Sequence, residues 1–268
     1  MSYADLHLHT TASDGQMTPW QMVRNVARQG ISVFAITDHD TFSGIDAACE
    51  AAVKYNLKFI PGIELSTIWQ DEEVHILGYK LDHRDRKLNQ ELIRLRNARS
   101  QRIECIVDKL TNLGYSITVE EIKAFARESS SVGRPHVARA LVAKGYMTSV
   151  AECFDELLNQ GRPGFVERYK LPAPTAISLI RDAGGVPFLA HPGLLQNGLN
   201  TAAQLQEHGL QGIEAFHSEH GVEQETEFVR FAQQTKLWVS GGSDCHGSGL
   251  LGSVKVDLDW IRPWALKD

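Results

Sequence analysis

A short segment near the start of the chain, Asp5-Leu6-His7-Leu8-His9, carries residue types that bind metal ions. Tyr3 to Leu8 alternates polar and apolar residues, and this period of two predicts a strand. Side chains two residues apart in a strand point to the same face, so the imidazoles of His7 and His9 can hold one ion together. Taken alone, a His-x-His pair is also typical of ordinary surface histidines, so the prediction of a metal site depends on further ligands.

Other ligand-type side chains share one kind of position, at or near the carboxyl end of a predicted strand. They are His39 and Asp40 after the second strand, Glu64 at the end of the third, His75 on the fourth, His191 after the fifth, and Asp244 and His246 after the seventh. In a parallel βα barrel these strand ends meet on one face, where active sites lie. The spacing therefore predicts a single cluster of imidazoles and carboxylates.

The strands and helices that must position these residues alternate in the N-terminal and C-terminal parts of the chain. Strands are predicted over residues 3–8, 33–36, 59–60 with 63–65, 74–79, 186–189, 213–216 and 237–240, and helices over 18–30, 43–55, 174–182, 201–208 and 222–234. Repeated βα units predict a parallel sheet, open or closed into a barrel. Residues 84–170 show only helical periodicity. We therefore expect an α/β domain of residues 1–83 and 171–268, interrupted by an all-helical insertion over 84–170.

The bulk composition is that of an ordinary globular protein, with 268 residues, 43% of them hydrophobic, and a formal net charge of −6. The negative charge argues against stable binding of duplex nucleic acid, which usually needs a basic surface. No apolar stretch approaches the length of a membrane span, and no signal peptide precedes the first candidate ligands. A cytoplasmic protein without membrane contact is expected.

The motifs Asp5-x-His7-x-His9, Thr37-Asp38-His39-Asp40, Ala190-His191-Pro192 and Asp244-x-His246 resemble, in this order, those of the polymerase-and-histidinol-phosphatase (PHP) family. The resemblance covers residues 1 to about 81 and 172 to about 257. The insertion and its Gly133-Arg134-Pro135-His136 turn resemble a branch that contains 3′,5′-nucleotide bisphosphate phosphatases and 5′-to-3′ exoribonucleases. The resemblance implies a distorted seven-stranded barrel and two or three divalent metal ions, manganese first, with zinc or iron as alternatives.

The family resemblance also implies which residues hold each ion. His7, His9, Glu64 and Asp244 would hold the first, Glu64, His75 and His191 the second with Glu64 bridging, and Asp14, His39 and His246 the third. Asp14 lies in a Ser-Asp-Gly turn, so it is alternatively a residue that only starts the turn. Nitrogen and oxygen ligands without a thiolate suit Mn, Zn or Fe and do not choose among them.

Hydrolysis of a phosphate ester at such a centre needs activated water and a proton for the leaving oxygen. Metal ions lower the pKa of bound water from about 15.7 to about 7, so we expect in-line attack by a metal-bridging hydroxide. Asp40 and His217 are the candidate proton donors. Asp40 alternatively orients His39, and His217, which follows the sixth strand, alternatively contacts phosphate or is merely exposed.

Substrate recognition is expected to come from the insertion. Arg134 begins a helix in a Gly-Arg-Pro turn, and a guanidinium there can bind phosphate through two hydrogen bonds. Lys170, at the return to the barrel, and His136 are further candidates for the same pocket. The alternative for Arg134 is an ordinary surface arginine.

Three functions fit these expectations. The first is a phosphatase that removes the 3′-phosphate of a 3′,5′-bisphosphonucleotide. The second is a 5′-to-3′ exonuclease that releases 5′-mononucleotides from short RNA or DNA with the same metal chemistry and a longer groove. The third is a non-catalytic regulatory or scaffold module, against which the complete ligand set argues. Histidinol phosphate is a further candidate substrate, for which the insertion is poorly suited.

Overall fold

The computed structural model describes residues 3–125, 132–167, 169–247 and 249–266, without the side chains of residues 99 and 100. The chain divides into two compact units, Met1–Gln90 with Lys170–Asp268, and Glu91–Tyr169. We call them the barrel unit and the helical unit. The boundaries predicted from the sequence lie after residues 83 and 170, close to these.

The barrel unit is built on one sheet whose strands are β1 (Tyr3–Asp5), β2 (Ile31–Ile36), β3 (Lys58–Trp69), β4 (Glu72–Tyr79), β5 (Leu171–Pro172), β6 (Val186–Leu189), β7 (Gly212–His217), β8 (Trp238–Gly242) and β9 (Val256–Asp257). Their order is β8-β7-β6-β4-β3-β2-β1-β9, with β5 paired to β3. The sheet nearly closes because Leu6 N donates to Gly241 O at 3.1 Å, just beyond β1. The expected α/β barrel is confirmed, and two-residue strands β5 and β9 add to the seven predicted strands.

The expectation of a parallel sheet is wrong at β4, which runs antiparallel to both β3 and β6. Only Gln70 and Asp71 connect β3 to β4, and both have positive φ, 46° and 67°. Two residues suffice for a hairpin but not for the crossover that a parallel pair requires. Glu64 is also not the end of its strand, because β3 continues for five residues to Trp69.

The helices are α1 (Pro19–Arg28), α2 (Ile45–Tyr55), α3 (Arg86–Asn112), α4 (Val119–Ala124), α5 (Arg134–Ala143), α6 (Val150–Cys153), α7 (Ala173–Asp182), α8 (Gly198–Glu207), α9 (Val222–Thr235) and α10 (Leu258–Ala265). Helix α1 begins as its sequence predicts: Thr18 caps it, Gln21 closes the capping box, and Pro19 occupies the first turn. Among the described residues no helix is long and apolar enough to cross a membrane.

Apolar residues of the barrel unit form two clusters, and β2 contributes to both. Val33 and Ala35 pack in one cluster with residues of α10, whereas Phe34 and Ile36 pack in the other with α1 and α2. This alternation follows from the period of two along a strand. Helix α10 was not predicted, yet its Trp264 packs on Tyr79 and Phe188.

The helical unit contains most of α3, then α4, α5 and α6, and α6 continues as a π-helical turn over Phe154–Leu158. Its described residues include no strand. Leu110, Ile122, Leu141 and Leu158 belong to its separate apolar core. Helix α4 ends at Ala124, where the N–H of Phe125 donates to Ile122 O at 3.0 Å. Residues 126–131 lie outside the described part of the chain.

Candidate metal centre and active site

Glu64 lies at the centre of the predicted cluster and is only 1% exposed. Its two carboxylate oxygens face different sets of imidazoles. Oε2 lies 3.2 Å from Nε2 of His7, 3.2 Å from Nε2 of His9 and 3.1 Å from Nδ1 of His39. Oε1 lies 2.8 Å from Nδ1 of His75 and 3.1 Å from Nε2 of His191. One carboxylate therefore joins two sets of nitrogen ligands, as a bridging ligand must.

His7, His9, Glu64 and Asp244 form a compact group of four ligand-type side chains. Asp244 Oδ1 lies 3.3 Å from Nε2 of His7 and 3.0 Å from Nε2 of His9. Ligands bound tetrahedrally at about 2.0–2.1 Å would stand roughly 3.3–3.4 Å apart. The measured separations are close to this value, so the four side chains are spaced to hold one ion.

Backbone contacts between neighbouring elements position this group. His7 and His9 follow β1, where Leu8 makes a parallel bridge to Cys245. Asp5 does not join the ligands. Its carboxylate accepts hydrogen bonds from the Ser243 backbone at 2.9 Å and hydroxyl at 2.7 Å. Asp5 thereby holds Ser243, the residue before Asp244. The φ angle of Asp244 itself is +53°.

His75 and His191 flank the other oxygen of Glu64. The hairpin places His75 opposite Ser66 in the β3–β4 register, two residues along from Glu64. His75 thus lies near the amino end of an antiparallel strand, not at a carboxyl end as the sequence analysis assumed. His191 follows β6 with φ of +29°.

Asp14, His39 and His246 come together with His9 as a further group. Asp14 Oδ1 lies 3.3 Å from Nε2 of His246, and its Oδ2 lies 3.7 Å from Nε2 of His39. Asp38 holds the Asp14 loop, because it accepts hydrogen bonds from Thr10 N, Thr10 Oγ1 and Ser13 Oγ at 2.6–2.7 Å. Eight of the nine predicted ligands thus belong to overlapping groups of ligand-type side chains, and the ninth, His191, lies beside Glu64 at 3.1 Å.

Burial and neighbouring carboxylates set the pKa values in this cluster. Burial lowers the pKa of His9, but Asp244 and Glu64 raise it to about 9. Burial likewise opposes the charge on His75, while Glu64 raises its pKa to about 10. Burial dominates at His39 and lowers its pKa to about 4. Burial raises the pKa of Glu64, yet the imidazoles around it hold that pKa well below its usual range.

The donor set fits divalent cations. Several buried atoms of the cluster have no hydrogen-bond partner among the described residues: Nε2 of His7, both ring nitrogens of His9, Nδ1 of His39, Nε2 of His217 and Oδ1 of Asp244. Buried polar atoms without partners are costly, and a bound cation would satisfy them. Imidazole and carboxylate ligands without thiolate suit Mn, Zn or Fe.

The two candidate proton donors differ in their surroundings. His217 is 2% exposed, with its Nε2 3.6 Å from Asp244 Oδ2 and its Nδ1 accepting from Glu219 N at 3.2 Å. Asp40 Oδ1 instead accepts a hydrogen bond from Ser66 N at 3.0 Å, on the strand that carries Glu64. His217 thus adjoins a predicted ligand directly, whereas Asp40 contacts the backbone of β3.

The candidate substrate residues have local partners. Within the helical unit, Arg134 donates to Leu158 O at 3.0 Å, and its guanidinium carbon lies 5.6 Å from the Phe154 ring centroid and 5.8 Å from that of Phe165. His136 Nδ1 accepts from Gly133 N at 3.0 Å, which closes the start of α5. Lys170 lies in the barrel unit just before β5. Their roles in substrate binding stay predictions.

Glu214, which was not among the residues predicted from the sequence, is fully buried within β7. It lies 2.9 Å from His7 Nδ1 and accepts from His191 N at 2.8 Å. A signal was present, because an acidic residue between Ile213 and Ala215 in a buried strand needs a partner. His220 was not among the predicted residues either, and its Nε2 accepts from Gly193 N at 3.1 Å, two residues after His191.

The chain is similar to several enzymes that act on phosphate esters. It is 34% identical over 248 residues to the 5′-3′ exoribonuclease Rnm of Escherichia coli, covering 90% of this chain and 84% of that protein. It is 30% identical over 253 residues to the 3′,5′-nucleoside bisphosphate phosphatase of Chromobacterium violaceum, with coverages of 93% and 89%. It is 31% identical over 248 residues to the phosphoribosyl 1,2-cyclic phosphate 1,2-diphosphodiesterase of Eggerthella lenta, with coverages of 91% and 94%.

Two solved structures are also similar to this chain over most of its length. A Chromobacterium violaceum protein described as an amidohydrolase with bound sulfate has a TM-score of 0.79 and 30% identity, covering 94% of this chain and 90% of that one. A Bifidobacterium adolescentis protein to which metal-dependent phosphoesterase activity was ascribed has a TM-score of 0.78 and 30% identity, with coverages of 98% and 95%.

The fold, the ligand groups and these relatives define the class of this protein, a metal-dependent phosphoesterase. The chain belongs to the PHP family, since residues 5–162 match the PHP domain. The resemblance predicted from the motifs is confirmed, and the non-catalytic alternative is set aside.

Proposed function

We propose that the protein removes the 3′-phosphate from a 3′,5′-bisphosphonucleotide. One observation carries the hydrolytic part of this proposal: each of the two carboxylate oxygens of Glu64 faces its own set of imidazoles. The choice of substrate is supported by the named activity of the Chromobacterium violaceum relative, which is similar to this chain over 93% of its length. We propose manganese as the ion, with zinc or iron as alternatives.

When bound, divalent metal ions supply activated water and neutralise charge on the phosphoryl oxygens. Glu64 would keep the two sets of ligands at a fixed separation, since its carboxylate is buried and contacts both sets. Asp244 and Asp14, at opposite sides of His9, would complete the ligand groups. The ligand assignments of the nine residues named above are part of the proposal.

His217 is the proposed donor of the proton to the leaving oxygen. Its Nδ1 accepts a hydrogen bond from Glu219 N, so the ring proton of the neutral form lies on Nε2, the atom that faces Asp244. Burial opposes protonation of His217, yet Asp244 and Glu214 raise its pKa. Asp40 is the alternative donor. Arg134, His136 and Lys170 are the proposed phosphate-binding residues, and His217 is a further candidate for phosphate contact.

A 5′-to-3′ exonuclease acting on short RNA or DNA is the second candidate. The similarity to the Escherichia coli exoribonuclease, at 34% identity over 90% of the chain, favours it. Both candidates use the same ligand groups, so only the substrate distinguishes them.

The test is an assay of purified protein loaded with Mn²⁺, repeated with Zn²⁺ and Fe²⁺. The substrates are a 3′,5′-bisphosphonucleotide, a 5′-phosphorylated oligoribonucleotide, a phosphoribosyl 1,2-cyclic phosphate and histidinol phosphate. We expect the highest kcat/KM for the bisphosphate, with release of inorganic phosphate and a 5′-mononucleotide. Faster release of mononucleotides from the oligoribonucleotide would replace the first proposal with the second.

A matched control excludes contaminating phosphatases. Glu64→Gln protein, purified identically, should lack the activity, whereas Glu227→Gln, an exposed change on α9, should retain it. Activity that survives in Glu64→Gln would mean that the cluster is not its source.

A further inference from the structure

Glu214 occupies a position where a carboxylate is costly. It is 0% exposed on β7, and its neighbours Ile213 and Ala215 are equally buried. A buried ionised carboxylate persists only where hydrogen bonds or nearby positive charge compensate its lost hydration. The described residues place no lysine or arginine in ion-pair contact with it, and its ion-pair partner is His7.

Both oxygens of Glu214 are already engaged by donors. Oε1 lies 2.9 Å from Nδ1 of His7, and Oε2 accepts from the backbone N of His191 at 2.8 Å. Glu214 lies within ligand distance of His7 and His217, and each of its oxygens already faces one nitrogen of a candidate metal ligand, Nδ1 of His7 or the backbone N of His191. It is therefore suited to orient His7 and His191.

The contact with His7 decides which ring nitrogen is free for metal. A carboxylate beside Nδ1 favours a proton on that atom, which leaves the lone pair of the neutral ring on Nε2. Nε2 is the atom that lies 3.2 Å from Glu64 and 3.3 Å from Asp244. Within the part of the chain that the structure describes, Nε2 of His7 has no hydrogen-bond partner.

The contact with His191 acts through the backbone. His191 has φ of +29°, a conformation that a residue with a side chain rarely adopts. The hydrogen bond from its N–H to Glu214 holds this conformation, in which Nε2 lies 3.1 Å from Glu64 Oε1. Glu214 therefore contacts one ligand on each side of the Glu64 carboxylate.

We propose that Glu214 is a positioning residue that orients His7 and His191 for metal binding at both sides of Glu64. This inference rests on the metal-binding part of the proposed function and not on its substrate. Outer hydrogen-bond partners of metal ligands typically change metal affinity by about 10–100-fold.

Glu214→Gln tests the proposal with little change in volume. A glutamine offers one acceptor and one donor group, so it cannot accept from both His7 Nδ1 and His191 N. If its oxygen accepts from His191 N, its amide N–H faces His7 Nδ1 and favours the ring proton on Nε2. If its oxygen accepts from His7, two N–H groups oppose each other at His191. Either arrangement disturbs one ligand.

The readouts are metal content after dialysis and the affinity for Mn²⁺ and Zn²⁺ by calorimetry. Histidine ¹⁵N spectra of the Zn²⁺-loaded protein add the protonation of each ring. We expect Glu214→Gln to bind metal about 10–100-fold more weakly, and wild type to show a hydrogen-bonded Nδ1–H on His7. Glu227→Gln, with the same chemical change on an exposed site of α9, should match wild type.

Unchanged metal affinity and unchanged His7 protonation in folded Glu214→Gln would overturn the proposal. If that variant does not fold, the histidine ¹⁵N spectrum of the Zn²⁺-loaded wild type decides. Metal coordination of His7 through Nδ1 is incompatible with the Glu214 contact and would overturn the proposal. None of these readouts involves a substrate. A failure of the proposed substrate would therefore leave them unaffected.

Discussion

The barrel unit and the helical unit hold their candidate functional side chains in different ways. His7, His9 and Glu64 are at most 1% exposed, and strands on several sides fix them. Arg134 and His136 are only partly buried at the start of one helix, and their hydrogen bonds to Leu158 and Gly133 lie within the helical unit. The candidate metal ligands are therefore desolvated and held from several sides, whereas the candidate substrate residues are accessible and held by local contacts.

The largest effect is expected at Glu64. Glu64→Gln removes the negative charge that both imidazole sets face, so kcat should fall by at least ~10⁴-fold, beyond the ~10²–10⁴ of a single proton donor. Steady-state kinetics and metal content should fall together. If activity stays within about tenfold of wild type, the buried cluster does not carry the chemistry.

A change at His217 separates proton transfer from metal binding. His217→Gln should lower kcat for a nucleotide substrate by about 10²–10⁴-fold, the contribution of a positioned acid. An aryl phosphate, whose leaving group needs no proton, should lose much less. Equal losses on both substrates would instead assign His217 to phosphate contact, and Asp40→Asn would then be tested in the same way.

Arg134 tests the helical unit. Arg134→Ala should lower kcat/KM for the bisphosphonucleotide by about 10- to 150-fold, the equivalent of a charged hydrogen bond of about 1.5–3 kcal/mol. Turnover of a small aryl phosphate should barely change. Arg139→Ala, an exposed change on the same helix, is the control. Equal effects of the two variants would remove Arg134 from the substrate site.

The smallest effect concerns pH and the metal-free protein. The folded pKa values of His9 and His75, about 9 and about 10, exceed the unfolded value of 6.5. The folded state therefore binds these protons more tightly, and the resulting stability is complete below pH 6.5 and is lost as pH rises through 9–10. The Tm of chelated protein should fall by on the order of 5 °C between pH 7 and 10. His136 should not contribute there, because burial lowers its pKa.

Calorimetric melting of the chelated protein at several pH values measures the loss of stability that is expected from His9 and His75 of the barrel unit and not from His136 of the helical unit. Metal-loaded protein should show a smaller fall, since bound ions replace the protons on the imidazoles. A flat Tm for chelated protein over the same interval would contradict the raised pKa values of the barrel histidines.

Residue type and spacing were enough to predict one cluster of imidazoles and carboxylates, an α/β domain and a helical insertion, whereas the assignment of residues to each ion came from the family resemblance. Strand alternation predicted a shared face for His7 and His9, and both reach Glu64 although β1 ends at Asp5. His39, His191, Asp244 and His246 follow strands whose ends meet. These are local properties, since each depends on a few residues and on the periodicity of one element. The confirmed family resemblance rests on the same short motifs.

Tertiary structure decided what depends on pairing between distant segments. The two-residue turn reverses β4, and the register of that hairpin, not a strand end, brings His75 to Glu64. The partners of Glu214 lie 207 and 23 residues away in the chain, so no local pattern could assign them. Sequence alone determined which groups can bind metal ions. Packing decided their orientation, because buried carboxylates and imidazoles are oriented by the hydrogen bonds that compensate for their lost hydration.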